Sequence, residues 1–248
     1  MKIALLGYGK MGKIIEKIAT DRKHEIVLKI DYNNLDELTT ENLAKADVAI
    51  EFSTPGTVLG NIKQCFNAGV PVVVGTTGWY NQLPQVKQIC EDGGHTLLYA
   101  SNFSIGVNVF FHVNKVLAKL MNNYPYYDVQ VEEIHHVQKL DSPSGTGITI
   151  AEGIIENLDR KKEWVNVLTT DGDETADDNI AADQLLIESF RIDSVPGTHT
   201  VLYDSEVDTI EFKHTAHNRN GFAVGAVMAA EWISDKKGFH SIEDMFNF

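Results

Sequence analysis

A chain of 248 residues with 43% hydrophobic content can bury one large core or two ordinary ones. Its 21 Lys and Arg face 35 Asp and Glu, a formal net charge of -14 that repels nucleic-acid phosphates and anionic membranes over most of the surface. Neither is expected as a partner, and an anionic ligand has to be held by a local cluster of donors. The apolar run Ile3–Leu6 is broken by Gly7 and Gly9, too short for a signal sequence, and no later run reaches membrane-spanning length. Cys65 and Cys90 lack metal-ligand spacing. These features predict a cytoplasmic protein with reduced thiols.

In chain order, short β-branched runs at 2–6, 25–30, 47–52, 70–74 and 96–99 alternate with helical patterns near 10–20, 55–67 and 81–91. That alternation predicts a parallel sheet with crossover helices. A longer helix over 106–123 leads out of this region. Longer, alternating strands follow at 128–135, 184–192, 199–204 and 209–214, with a helix after Pro143, and predict a second sheet of mixed or antiparallel pairing. The acidic run Asp171, Asp173, Glu174, Asp177 and Asp178 reads as a solvated loop. Residues 222–233 have the small, apolar pattern of a packed helix.

Gly7-Tyr8-Gly9-Lys10-Met11-Gly12 follows the first strand and opens the first helix. There the first glycine allows a tight turn, the second lets a pyrophosphate approach the backbone, and the third packs helix on strand. Asp31, about 20 residues on, ends the second strand where a carboxylate accepts hydrogen bonds from an adenosine ribose. It is followed by Tyr32 and not by arginine, which favours NADH, although Lys10 and Lys13 leave NADPH open. Gly75-Thr76-Thr77-Gly78 and Ala100-Ser101-Asn102-Phe103 follow the fourth and fifth strands, where ligands bind in open α/β sheets, and are expected to touch the cofactor. The fold class is therefore α/β: a Rossmann-type dinucleotide-binding domain plus an α+β domain with an open mixed sheet.

The stretch 134–147, IHHVQKLDSPSGTG, concentrates the chemistry. Ser142 reads as a helix cap and Pro143 as the first helical position, leaving the N–H groups of Gly145 and Thr146 ready for a carboxylate or phosphate. Lys139 adds a mobile positive charge. His135 and His136 would face opposite sides of a strand, so both serve one site only if the strand ends there. Histidine can deliver a proton near neutrality. A dinucleotide, an anion clamp and a proton donor together mean hydride transfer to a small acid. Zinc is the rival use of the histidines, but no third histidine or cysteine lies at ligand spacing, so no metal is expected. His199 and His214 read as structural.

The string from Glu133 through His135, His136, Lys139, Asp141, Pro143, Ser144, Gly145 and Thr146 closely resembles the signature of the 4-hydroxy-tetrahydrodipicolinate (dihydrodipicolinate) reductase family. The likeness extends to 7–12, 75–78, 102–108, and 191–197 with His199. It implies NADH- or NADPH-dependent reduction of a cyclic dicarboxylate in diaminopimelate and lysine biosynthesis. His135 would be proton donor and acceptor and Lys139 the catalytic, substrate-holding cation, with His136, Gly145 and Thr146 on the substrate carboxylate. It also implies a dinucleotide-binding domain (1–105), a substrate-binding and oligomerisation domain (106–215) forming a homotetramer, and a segment (216–248) returning to the first domain. Two positions depart from the family pattern: Asp193, where glycine is usual, and Gly147, where alanine is usual. The alternatives are an aspartate dehydrogenase-like enzyme, which wants a smaller acid pocket, and a non-catalytic dinucleotide sensor, which has no need of His135 or Lys139.

Overall fold

Strand β1 (Lys2–Leu6) sends Ile3 and Leu5 to one face of a sheet and Ala4 and Leu6 to the other, and all four are buried. Such two-sided burial is the property of a parallel strand with helices on both faces. The computed structural model describes residues 1–169 and 180–248, so the acidic run from Asp171 to Asp178 lies outside the described residues. After β1 come α1 (Lys10–Asp21), β2 (Glu25–Ile30), the short α2 (Thr40–Leu43), β3 (Val48–Glu51), α3 (Val58–Ala68), β4 (Val72–Val74), α4 (Leu83–Asp92) and β5 (Thr96–Tyr99). Helix α3 starts at Val58 and not at Pro55, because Thr57 N–H bonds the Thr54 carbonyl in a turn and Thr57 takes the cap position.

Residues 106–219 form a separate compact unit. It contains most of α5 (Ile105–Met121), then β6 (Asp128–His135), α6 (Gly145–Ile155), β7 (Glu163–Thr169), β8 (Gln184–Arg191), β9 (Thr198–Asp204) and β10 (Thr209–Thr215). The sheet order is β10-β9-β6-β8-β7, antiparallel through β9 and parallel through β8 and β7. Val129 and Val131, Leu185 and Ile187, and Val201 and Tyr203 bury one face against α5 and α6. The opposite face, with Ile134, Leu186, Phe190 and Leu202, is outside that core and half-buried. Strand β7 has no counterpart in the sequence reading: its side chains are half-buried almost throughout, without alternation, so no period marks it.

The chain then re-enters the first unit, Met1–Ile105 with Asn220–Phe248, as α7 (Asn220–Ile233), β11 (Gly238–Ser241) and α8 (Ile242–Phe246). Ala223, Ala226 and Ala230 of α7 pack on the Ile3/Leu5 face. Strand β11 adds to β5 and completes a six-stranded sheet, β11-β5-β4-β3-β1-β2, in which every pair is parallel. The order doubles back at β1, so the switch point lies between β1 and β3, where open α/β sheets hold ligands at their carboxyl ends. Among the described residues no helix is long and apolar enough to cross a membrane.

Candidate active site

At the switch point the glycine loop leaves β1. The N–H groups of Gly7 and Tyr8 both reach the Ile30 carbonyl at 2.9 Å. Gly7 has φ 99°, and a Cβ there would lie 2.2 Å from the Phe52 carbonyl oxygen. A Cβ on Gly12 would lie 2.5 Å from the Gly7 carbonyl oxygen, whereas one on Gly9 would meet open space. The loop is thus closed toward the protein and open at Gly9. Gly9 caps α1 without a side-chain bond, the first turn has no acid, and the first helical bond comes from Lys13 N–H. The N–H groups of Lys10, Met11 and Gly12 are therefore available to an anion. Lys10 is exposed, Met11 packs partly on the core, and Tyr8 donates its hydroxyl to Glu16 beneath Lys29.

Asp31 stands at the end of β2. One of its oxygens accepts Asn33 N–H at 2.7 Å; the other has no partner among the described residues. Thr77 and Ser101 are exposed, while Thr76, Ala100 and Phe103 are buried. Thr76 Oγ1 accepts Ser53 N–H at 2.8 Å, and the Phe103 ring packs 5.6 Å from that of Phe52. Asn102 Oδ1 accepts Ser104 N–H. Of these loops, then, the Thr77 and Ser101 side chains face solvent, and the Thr76 and Phe103 side chains shape the loop from within. A residue not foreseen joins them: buried Glu51 accepts from Ser53 and Asn61. Burial pushes its pKa up, against those hydrogen bonds.

In the second unit, β6 ends at His135, so His136 is free of the strand's alternation. The helix cap is Ser144 and not Ser142: Ser144 is extended, its hydroxyl accepts Gly147 N–H at 3.0 Å, and Gly145 is the first helical residue. The cause is Glu133, fully buried, which accepts the Ser144 N–H at 3.0 Å and the Ser144 hydroxyl. This correction leaves Gly145 and Thr146 at the first two helical positions, with N–H groups that have no partner among the described residues. Lys139 Nζ contacts both Asp141 oxygens, at 2.8 and 2.9 Å.

Glu133 is the hub that sequence reasoning did not find. Its neighbours come from three strands: Ser189 Oγ donates at 3.1 Å, and His135 Nδ1, His199 Nε2 and Arg191 Nη1 lie at 3.8, 3.7 and 3.6 Å. His199, expected to be structural, donates from Nε2 to Ser144 Oγ at 3.1 Å, since the Ser144 proton goes to Glu133. Glu133, His135 and His199 bring ligand-type atoms within 4.8 Å of one another, but the carboxylate is already taken up by Ser144 and Ser189. A Cβ on Gly147 would lie 2.6 Å from Glu133 Oε2, so glycine here leaves room for this carboxylate.

One carboxylate is shared among Arg191, His199 and His135. Burial, then His199, with Lys139 and Arg191 adding, outweighs Glu133 and pushes the His135 pKa down to about 4. Burial alone would raise Glu133, but the adjacent His199 ring, the hydrogen bonds from the Ser144 hydroxyl and N–H, and the neighbouring His135 hold it at about 2. Both shifts disfavour the folded state in acid. The stability due to a neutral His135 is present above its ordinary value of 6.5 and is lost as pH falls toward 4; that of Glu133 is lost from 4.5 toward 2. Urea midpoints should therefore decline across both windows, and His135→Gln should flatten the upper one. A flat wild-type profile between pH 6.5 and 4 would contradict the burial of a neutral His135.

An all-parallel sheet with a glycine loop at its switch point, followed by a unit that gathers histidines, a lysine and a helix N-terminus, defines a dinucleotide-linked oxidoreductase of the two-unit type. Family profiles make this specific: "Dihydrodipicolinate reductase, N-terminus" matches residues 1–103 and "Dihydrodipicolinate reductase, C-terminus" matches 106–246. The chain belongs to the dihydrodipicolinate reductase family. It is 47% identical to a 4-hydroxy-tetrahydrodipicolinate reductase of Christiangramia forsetii, over 100% of this chain and 98% of that protein. It is 34% identical to one of Rickettsia rickettsii, over 96% and 95%. The dipicolinate-bound dihydrodipicolinate reductase of Paenisporosarcina sp. TG-14 superposes with a TM-score of 0.75 at 26% identity, over 97% of each chain. An amine dehydrogenase of Mycobacterium smegmatis, 13% identical with a TM-score of 0.61 over 98% of this chain and 95% of that one, shares the fold.

Proposed function

We infer that this chain is an NAD(P)H-dependent oxidoreductase that reduces 4-hydroxy-tetrahydrodipicolinate, or its dehydrated form dihydrodipicolinate, to tetrahydrodipicolinate in diaminopimelate and lysine biosynthesis. The observation that carries this reading is the stretch 135–146, where a buried histidine, a lysine and two free helix N–H groups converge within a chain that matches the family over both halves. That set suits a small dicarboxylate and has no use in a dinucleotide sensor. His136, Gly145 and Thr146 hold a substrate carboxylate, and Lys139 exchanges Asp141, itself mostly exposed, for the substrate's charge.

The glycine loop 7–12, Asp31, Gly75, Thr76, Thr77 and residues 100–103 hold the cofactor, with phosphates at the α1 N-terminus. When bound, the reduced nicotinamide supplies a hydride. Adding it to a conjugated C=C–C=N system leaves negative character that a nearby acid must quench, and His135 delivers that proton. His135 is neutral in the free protein. The two substrate carboxylates add the negative charge that Glu133 alone cannot, and raise its pKa so that the proton is present when it is needed. Lys139 and the helix N-terminus keep the diacid in register.

Cofactor preference follows from Asp31, which favours a free 2′-hydroxyl and repels a 2′-phosphate. Asp31→Ala should raise the KM for NADH more than that for NADPH; equal effects on both would remove Asp31 from the ribose site. The half-buried face of the second sheet, with Ile134, Leu186, Phe190 and Leu202, supports a homotetramer built through it, and the buried thiols of Cys65 and Cys90 suit the cytoplasm. The site is tested by titrating NADH, followed by fluorescence, and then pyridine-2,6-dicarboxylate, a flat mimic of the substrate ring, into the NADH complex. Saturable binding of the mimic is expected. A mimic that does not bind would overturn the assignment of this clamp to a cyclic diacid.

A further inference from the structure

We propose that Arg191 is the positioning residue of this site: its guanidinium holds the loop that carries Lys139 through backbone carbonyls, and shares Glu133 with the two histidines. The proposal rests on the reading that this loop holds the substrate's carboxylates. Arg191 is buried, on β8 directly beside His135 of β6, and Ile192 N–H bonds the His135 carbonyl at 2.8 Å. Its Nη2 donates to the Asp141 carbonyl at 2.7 Å, Nε to the Lys139 carbonyl at 3.4 Å, and Nη1 to the Phe190 carbonyl at 3.0 Å, 3.6 Å from Glu133 Oε1.

The loop has little else to fix it. Val137 is 53% and Leu140 98% exposed, so no apolar side chain anchors 137–142. Within the loop, Lys139 N–H turns back to the His136 carbonyl and Asn166 reaches the Ser142 hydroxyl. From outside the loop, Arg191 bonds two of its main-chain carbonyls, those of Lys139 and Asp141. The rigid, planar fork of arginine presents its donors to the two carbonyls from separate nitrogens in a fixed geometry, whereas lysine offers one ammonium on a flexible stem. Its charge also bears on His135, which faces Glu133 of its own strand, His199 of β9, Arg191 of β8 and Lys139 of the loop.

Two substitutions separate these roles. Arg191→Lys keeps the buried charge and loses the fork; Arg191→Ala loses both. In Arg191→Lys, backbone amides of 136–143 should exchange faster in hydrogen-exchange mass spectrometry. The KM for substrate and the Kd for pyridine-2,6-dicarboxylate should rise by about 10–100-fold, the scale of a misplaced binding group. NADH affinity should stay within about twofold, and the pH limb of kcat due to His135 should keep its position. In Arg191→Ala that limb should move upward in pH, because a positive neighbour is gone and Glu133 is left to His135. Millimolar guanidinium should restore mimic binding. If Arg191→Ala does not fold, Arg191→Lys alone decides. Unchanged exchange over 136–143, or unchanged mimic affinity, in folded Arg191→Lys overturns the proposal. Failure of the wild type to bind the mimic instead fells the dicarboxylate reading, and the exchange comparison still judges Arg191.

Discussion

His135→Gln is expected to lower kcat by about a hundredfold or more, the contribution of a positioned acid–base group, while affinity for pyridine-2,6-dicarboxylate weakens only modestly. The surroundings explain the asymmetry. His135 is 8% exposed, its Nδ1 has no hydrogen-bond partner among the described residues, and burial with its positive neighbours pushes its pKa down to about 4. Gln fills similar space and keeps polar contact but carries no transferable proton, so the loss falls on turnover and not on binding. Steady-state rates beside mimic titrations, with circular dichroism as the check on folding, read this directly. Unchanged turnover in a folded variant would remove His135 from the mechanism.

Lys139→Ala is expected to cost at least about 2–3 kcal/mol in kcat/KM, the scale of a lost charged hydrogen bond. The pairing of Lys139 with Asp141 does not reduce this much, because the Asp141 side chain is 62% exposed and such ion pairs contribute little. NADH affinity should hardly move. Lys139→Arg should rescue only in part, since a planar fork cannot take the place of a compact ammonium. Mimic binding lost with NADH binding retained marks Lys139 as a substrate ligand; equal loss of both would assign it to the fold.

Strand β6 was legible because Val129 and Val131 alternate with Asp128, Gln130 and Glu132, the period of a half-buried strand, although the buried face goes on with Glu133 and His135. The glycine loop was legible for a similar reason: strand, turn and helix start are consecutive, so local chemistry decides them. What sequence could not show is non-local. Glu133 lies opposite His199 on β9 and Ser189 on β8, and His135 lies opposite Arg191, partnerships fixed by strand register and not by spacing along the chain. The same carboxylate moved the helix cap from Ser142 to Ser144 by taking the Ser144 N–H. Strand β11 went unseen because Gly238–Ser241 is a four-residue edge, paired only with β5 and without β-branched residues.

The identification as a family reductase and the chemistry assigned to 135–146 meet in one assay, the oxidation of NADH or NADPH on addition of freshly generated 4-hydroxy-tetrahydrodipicolinate, run beside oxaloacetate plus ammonia. The expected result is rapid, enzyme-dependent oxidation with the cyclic dicarboxylate and none with oxaloacetate and ammonia. Oxidation with oxaloacetate and ammonia alone, or with neither, would contradict the assignment.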